Sequence, residues 1–448
     1  MQTLEQLKSG QLSGTKRLQL VEALTVFPPE IFELADTLEV LDLSNNQLDS
    51  LPDDFGRLKH LKILFLSNNR FETLPTEIAD CPELEMIGFK ANRIKRVEEG
   101  ALPKKTRWLI LTDNLIERLP DSMGELYRLK KLALAGNRLT SLPASMADCQ
   151  NLELVRLSAN QLTSLPDWLF QLPKLSWLAF AGNPLGESVV DQKSEMQHVS
   201  MTDIELGHQI GEGASGVISR AKWINQPVSL KGSALDIAVK VFKGEVTSDG
   251  YPRDELANCL KVGEHRNLIK VVAQITEVDQ LALVMELIPD TFYNLGLPPS
   301  LITCTRDTFN EGTQYSAAEI AKVAIQMADM LAHLHQNGVS HGDVYAHNTM
   351  IDENASVLFG DFGAASNLSL LPTVQQEAME GVEVRAFGCL LDDLLAIVEG
   401  GSNLASLHSL VQLKDQCMRR AVSLRPTFTE IKKQLLDCFD HREAELVL

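Results

Sequence analysis

One pattern recurs seven times in the first half of the chain and leaves few folds open to it. The spacing L-x-x-L-x-L-x-x-N-x-L fits at Leu38-Leu41-Leu43-Asn46-Leu48 and again at Leu61-Leu64-Leu66-Asn69-Phe71. It returns at Leu84-Ile87-Phe89-Asn92-Ile94, Thr106-Leu109-Leu111-Asn114-Ile116 and Leu129-Leu132-Leu134-Asn137-Leu139. Two more units follow, Leu152-Val155-Leu157-Asn160-Leu162 and Leu175-Leu178-Phe180-Asn183-Leu185, and a degenerate one around Leu18 and Leu20 reads as a terminal cap. Successive starts lie 23 residues apart, with one gap of 22. A unit this short cannot bury its own apolar face, so neighbours must stack into a solenoid with one strand per unit. Leu-Pro pairs at 51–52, 74–75, 119–120, 142–143 and 165–166 mark where the chain leaves the strand side, because proline ends ladder pairing.

Over about residues 15–190 this pattern resembles the leucine-rich repeat family. The resemblance implies that each Asn bonds backbone groups along its turn, since buried amides must be paired. Strand positions flanking the second consensus residue point away from the core and should be polar if they meet only water. Phe65, Met86, Trp108, Ile110, Leu154 and Trp177 occupy such positions. They predict an apolar patch on the concave face that binds a protein substrate or regulator, because large exposed apolar patches mark interaction sites. Same-face packing between adjacent strands is the plainer alternative.

Composition excludes several classes. Lys and Arg number 41 against 60 Asp and Glu, a net charge of −19, so no basic footprint for nucleic acid or an anionic membrane exists. The seven cysteines are scattered and never in Cys-x-x-Cys spacing, which argues against a disulfide framework or zinc site and for a reducing, cytoplasmic location. No apolar run reaches 18 residues and no signal peptide is visible, so no membrane span is expected. Residues 186–202 lose the repeat and turn polar. The expected organisation is therefore a solenoid over 1–190, a linker over 191–203 and a second domain over 204–448.

The second domain carries a different constellation. His341-Gly342-Asp343 is followed by Asn348 and then by Asp361-Phe362-Gly363. Phosphoryl transfer needs a carboxylate to take the attacking hydroxyl's proton and hard oxygen ligands for Mg²⁺, and Asp343, Asn348 and Asp361 have the spacing for those tasks. Upstream, Ile210 leads into Gly211-x-Gly213-x-x-Gly216-Val217, where glycines let backbone approach phosphates and Val217 is expected to cover the adenine. A dinucleotide-binding turn would need a helix directly after the glycines, but residues 217–223 read as a strand. Ala238 and Lys240 sit on a second alternating strand, Lys240 to hold the α- and β-phosphates. Glu255 is its expected ion-pair partner, with Asp254 as competitor. Residues 281–287 read as a buried strand running into a hinge, which places Met285 behind the adenine and Glu286 and Leu287 among the nucleotide-binding residues. Ser316 with Glu319, and Thr427 with Glu430, form capping boxes that open long helices.

Taken in order, these elements over 204–438 resemble the protein kinase superfamily, and the whole chain resembles the soluble leucine-rich repeat-containing protein kinases. The resemblance implies an α/β repeat solenoid followed by a bilobal α+β kinase-like domain that binds ATP with Mg²⁺ and phosphorylates a protein hydroxyl, serine/threonine type favoured. Three departures stand out. Gly342 replaces the usual Arg, and Tyr345 replaces the Lys of serine/threonine kinases, with His347 where tyrosine kinases have Arg. The segment from Asp361 to Glu383 is short and lacks Ala-Pro-Glu. An ATP-binding pseudokinase scaffold and a small-molecule phosphotransferase remain the alternatives. Retention of Lys240, Asp343, Asn348 and Asp361 speaks against the first.

Overall fold

The computed structural model describes residues 2–186, 196–213, 215–231, 235–243, 247, 249–277 and 280–439. The chain forms two compact units, Met1–Leu175 and Ser176–Leu448. The expected linker lies partly outside the described residues.

In the first unit a short helix α1 (Leu4–Lys8) precedes strands β1 (Arg17–Gln19), β2 (Val40–Asp42), β3 (Ile63–Phe65) and β4 (Met86–Gly88). Strands β5 (Trp108–Ile110), β6 (Lys131–Ala133) and β7 (Leu154–Arg156) follow, and each pairs in parallel with its predecessor in unbroken register. After the Leu-Pro pairs the chain turns into short 3₁₀ segments, as at Thr76–Asp80, Asp121–Glu125 and Ala144–Asp148. The expected Asn ladder is present. Asn69 Nδ2 donates to Leu43 O and Leu66 O at 3.0 and 3.1 Å, while Leu48 N donates to Asn69 Oδ1 at 2.9 Å. One buried amide thus closes turns in adjacent repeats at once.

The residue before each ladder Asn adopts positive φ: Asn45, Asn68, Ala91, Asp113, Gly136, Ala159 and Gly182. Only two of these are glycine, so the spacing alone does not announce the turn. At Ala91 and Ala159 the repeat imposes a left-handed conformation that costs an L-residue about 1–2 kcal/mol.

The concave patch is smaller than expected. Met86 and Leu154 are buried, Met86 in register between Ile63 and Trp108. Phe65, Trp108 and Ile110 stay half-buried, and Lys131 Nζ sits 4.2 Å over the Trp108 ring. Gly88 makes room for Phe65, whose ring would lie 2.7 Å from any Cβ there. Adjacent-strand packing therefore absorbs part of this surface. Trp177 belongs to the second unit and is buried there.

The second unit opens with β8 (Trp177–Ala179) and then builds an antiparallel sheet from β9 (Ile204–Glu212), β10 (Gly216–Trp223) and β11 (Asp236–Phe242). Helix α2 (Pro252–Val262) intervenes before β12 (Val271–Glu277) and β13 (Gln280–Glu286), giving the order β12-β13-β11-β10-β9. Its core gathers Ile204, Trp223, Val239, Ile275 and Val284. Strand β14 (Tyr293–Asn294) leads to helix α3 (Ala317–Gln336), opened by the expected capping box: Ser316 N donates to Glu319 Oε2 at 2.7 Å. Strands β15 (Val339–Ser340), β16 (Thr349–Ile351), β17 (Val357–Phe359) and β18 (Ser366–Asn367) frame the loops between them. Helices α4 (Thr373–Leu395), α5 (Leu404–Cys417) and α6 (Phe428–Cys438) complete the larger lobe, and Thr427 and Glu430 cap α6 as expected. The fold is thus a repeat solenoid followed by an antiparallel-sheet lobe and a helical lobe.

Candidate active site

Strand β11 carries Lys240 inward, opposite Ile218 on β10 and Leu283 on β13. The residue is 6% exposed, walled on both sides. Lys240 Nζ lies 2.5 Å from Glu255 Oε1 and 3.2 Å from Asp361 Oδ1. The competition at the start of α2 is thereby resolved in favour of Glu255. Burial alone would drive the Lys240 proton off, but the Asp361 and Glu255 carboxylates outweigh it and hold the pKa above the ordinary lysine value. Burial pushes the Glu255 carboxyl up to about 7 against the pull of Lys240, with Asp361 adding to the rise. Burial works against ionisation of Asp361 too, yet the Lys240 charge keeps it below the usual carboxylate range. Asp361 itself takes a left-handed backbone, φ 60°, and its carboxylate accepts from Gly363 N at 3.4 Å.

The loop between β15 and β16 carries the remaining groups. Asn348 Nδ2 donates to Asp343 Oδ2 at 2.7 Å and to Asp343 O at 3.1 Å, so the two expected partners meet. Three residues that the sequence did not single out hold this loop. Glu383, 1% exposed on α4, accepts from Gly342 N at 2.6 Å and contacts His335 Nε2 at 2.7 Å. Burial would raise the Glu383 pKa, but the His335 contacts and the Gly342 amide keep it low. Asp307 accepts from Ala346 N at 2.5 Å and meets His347 Nδ1 at 2.6 Å. These anchors lie 41 and 39 residues from the groups they fix, a separation no local pattern reports.

His341 is fully buried between Phe359 and Phe362, its Nε2 3.0 Å from Gly360 O. It links the loop to the Asp361 turn. Burial lowers its pKa.

Ile210, Gly211, Gly213, Gly216, Ala238, Lys240, Glu255, Glu286, Leu287, Asn348 and Asp361 all line one cleft of about 640 Å³ between the two lobes of this unit, within the range of small-molecule sites. Asp343 lies beside these walls, tied to Asn348. Val217 is a correction: it faces Val241 on the opposite side of the strand, and Ile218, one residue on, lines the cleft opposite Lys240. Strand alternation decides this, since a one-residue shift moves a side chain to the other face. Gly216 is required where it stands, because a Cβ there would lie 2.6 Å from Val241 O. At the rim, Glu286 N donates to Lys270 O at 2.9 Å.

These groups suit a nucleotide with a divalent cation. Asn348 spends its amide nitrogen on Asp343, which leaves its oxygen as the end able to face a cation. The Asp361 carboxylate supplies a second hard ligand in the same cleft. Tyr345 supplies no charge and is buried, so the loop lacks a cation at that position.

Residues 204–390 match the family described as protein tyrosine and serine/threonine kinase, and the leucine-rich repeat family matches four overlapping stretches between 13 and 185. A probable serine/threonine-protein kinase of Dictyostelium discoideum is 31% identical over 173 residues, which cover 38% of this chain and 11% of that protein. The Arabidopsis thaliana serine/threonine-protein kinase STY46 is 25% identical over 38% of this chain and 27% of its own length. A putative serine/threonine-protein kinase/receptor of Acanthamoeba polyphaga mimivirus is 27% identical over 37% and 9%. The matched part of the chain therefore spans about a quarter or less of each of these relatives. The chain accordingly joins a leucine-rich repeat array to a domain of the protein kinase family.

Proposed function

We propose that this chain is an ATP- and Mg²⁺-dependent protein kinase of serine/threonine type. The observation that carries the reading is Lys240 Nζ bridging Glu255 and Asp361 in the cleft that also holds Asn348. In this reading Lys240 holds the α- and β-phosphates and Glu255 keeps Lys240 in place. Asn348 and Asp361 hold Mg²⁺, which when bound neutralises charge on the phosphates. Asp343 accepts the proton of the acceptor hydroxyl as its oxygen bonds the γ-phosphorus; the bond to the β-phosphate oxygen breaks and ADP leaves. The serine/threonine assignment rests on the relatives' names. A binding-only scaffold is not favoured, because every one of these groups is present.

Asp343→Asn is expected to lower kcat by roughly 10³-fold, within the range for a general base, and to leave KM for ATP unchanged. Radiolabelled-ATP transfer to a bulk acceptor protein measures both. A parallel loss of ATP affinity would remove Asp343 from that role.

The repeats offer Phe65, Trp108 and Ile110 on the concave face, and we propose that a protein partner docks there. A photo-crosslinker at position 108 should trap adducts that one at the exposed Tyr127 does not. Equal yields from both positions would refute the assignment. Five of the seven free cysteines are buried, which suits a cytoplasmic, reducing setting. Among the described residues no helix is long and apolar enough to cross a membrane.

A further inference from the structure

Residues 176–186 begin the second unit, and the reading of the cleft gives them no task. Their contacts within that unit converge on the catalytic groups. Trp177, 1% exposed, donates from Nε1 to Val344 O at 3.0 Å, and its indole stacks on the Tyr345 ring at 4.5 Å and 5°. Both contacted residues directly follow Asp343. Leu178 O closes over Gly342, 2.9 Å from where a Cβ would stand. Phe180 N donates to Ser366 Oγ at 3.0 Å, just beyond the Asp361 turn. Arg385 Nη1 donates to Ser176 Oγ at 2.7 Å from α4, the helix that also carries Glu383. Further along, Gly182 at φ +74° lies beneath the start of α2, where any Cβ would stand 2.7 Å from both Asp254 Oδ2 and Tyr251 Cδ2. That helix carries Glu255.

Residues 176–182 therefore reach the loop of Asp343, the segment after Asp361 and the helix of Glu255. Those three carry a base, a metal ligand and the partner of Lys240, groups that must hold their mutual geometry for transfer. The segment after Asp361 is short, with α4 already beginning at Thr373, and it meets α2 where Asn258 Nδ2 donates to Ala365 O at 2.8 Å.

We infer that Trp177 is a positioning residue for phosphoryl transfer, which holds Val344 and Tyr345 so that Asp343 faces the acceptor hydroxyl. This rests on the phosphotransfer reading above. It makes residues 176–186 part of the catalytic unit. Tyr345, where other kinases place a cation, serves here as the platform on which the indole sits.

The test uses the full chain with ATP, Mg²⁺ and bulk histone as acceptor. Trp177→Ala is expected to lower kcat by about 10²-fold, the effect of a small misplacement of a reacting group. KM for ATP should stay within about twofold, because Lys240 and the glycine strands are untouched. Trp177→Phe keeps a six-membered ring on Tyr345 and loses the N–H donor together with the pyrrole ring; it should lower kcat about fivefold, with a smaller fall in Tm than Trp177→Ala. If Trp177→Ala fails to fold, Trp177→Phe decides. A general loss of structure would raise KM and lower kcat together. Unchanged kcat in Trp177→Phe, or a proportional rise in KM, overturns the inference. Hydrogen exchange separates failure here from failure of the kinase reading. If the wild type transfers no phosphate, amides 341–348 should still exchange faster in Trp177→Phe while β12 and β13 stay protected. Unaltered exchange in the loop also overturns the inference.

Discussion

Replacing Lys240 with methionine is expected to lower phosphate transfer by about 10²–10³-fold, the effect of removing one electrostatic contact from a preorganised site. The ammonium meets two carboxylates, at 2.5 and 3.2 Å, and methionine preserves its volume while removing its charge. Glu255 is then left buried beside Asp361 with no counter-charge. Breaking a buried pair by removing one partner costs about 3–5 kcal/mol. Part of that loss is recoverable by proton uptake, and the direction follows from linkage. The Glu255 pKa of about 7 already lies above the ordinary carboxylate value, so the folded state binds the extra proton. The stability this contributes is complete at acidic pH and disappears as pH rises through about 7. Without Lys240, which lowers that pKa, the window extends to higher pH. Lys240→Met should thus lose more Tm, relative to wild type, at pH 8 than at pH 6. Transfer within tenfold of wild type, or a Tm difference independent of pH, would contradict the placement of Lys240 at the centre of the site.

Restoring arginine at position 342 should damage the protein rather than improve it. Gly342 has φ +74°, and a Cβ there would stand 2.6 Å from Ala364 O and 2.9 Å from Leu178 O. A left-handed L-residue costs about 1–2 kcal/mol, and overpacking against two backbone carbonyls adds about 1–3 kcal/mol. The Gly342 amide is also held by Glu383, so the backbone cannot rotate away without breaking a buried 2.6 Å bond. For a unit of this size a loss near 4 kcal/mol corresponds to a fall in Tm of about 10 °C. Gly342→Ala separates the causes: it carries the same Cβ without a guanidinium and should lose most of the same stability. Alanine tolerated at wild-type Tm would mean that the loop is not confined as described. The departure from the usual kinase pattern at 342 is in this light a packing requirement of the loop beneath β8.

Legibility in the sequence followed the range of each interaction. Asn69 could be read because its partners recur at a fixed 23-residue spacing, and Lys240 because it sits on an alternating strand. The Lys240–Glu255 pair spans only 15 residues. Glu383, His335 and Asp307 left no such trace, since a buried acid or imidazole resembles any other residue of its kind until its neighbours are known. Val217 was misassigned for a finer reason: two adjacent apolar residues on a strand differ only in which face they present, and pairing with β11 selected Ile218. Half of the apolar concave set proved to be buried, because what a strand residue meets depends on what packs over it.

The repeat register, the two domain types and the identity of the charged residues around the cleft were determined by the sequence alone, through periodicity and short spacings that local backbone geometry enforces. The tertiary structure decided how those charges are held: which carboxylate faces Lys240, which buried acids anchor the loop, and that Trp177 turns inward onto Tyr345. The physical reason is that hydrogen-bonding and stacking partners separated by up to 209 residues are chosen by packing, which the order of residues along the chain does not display.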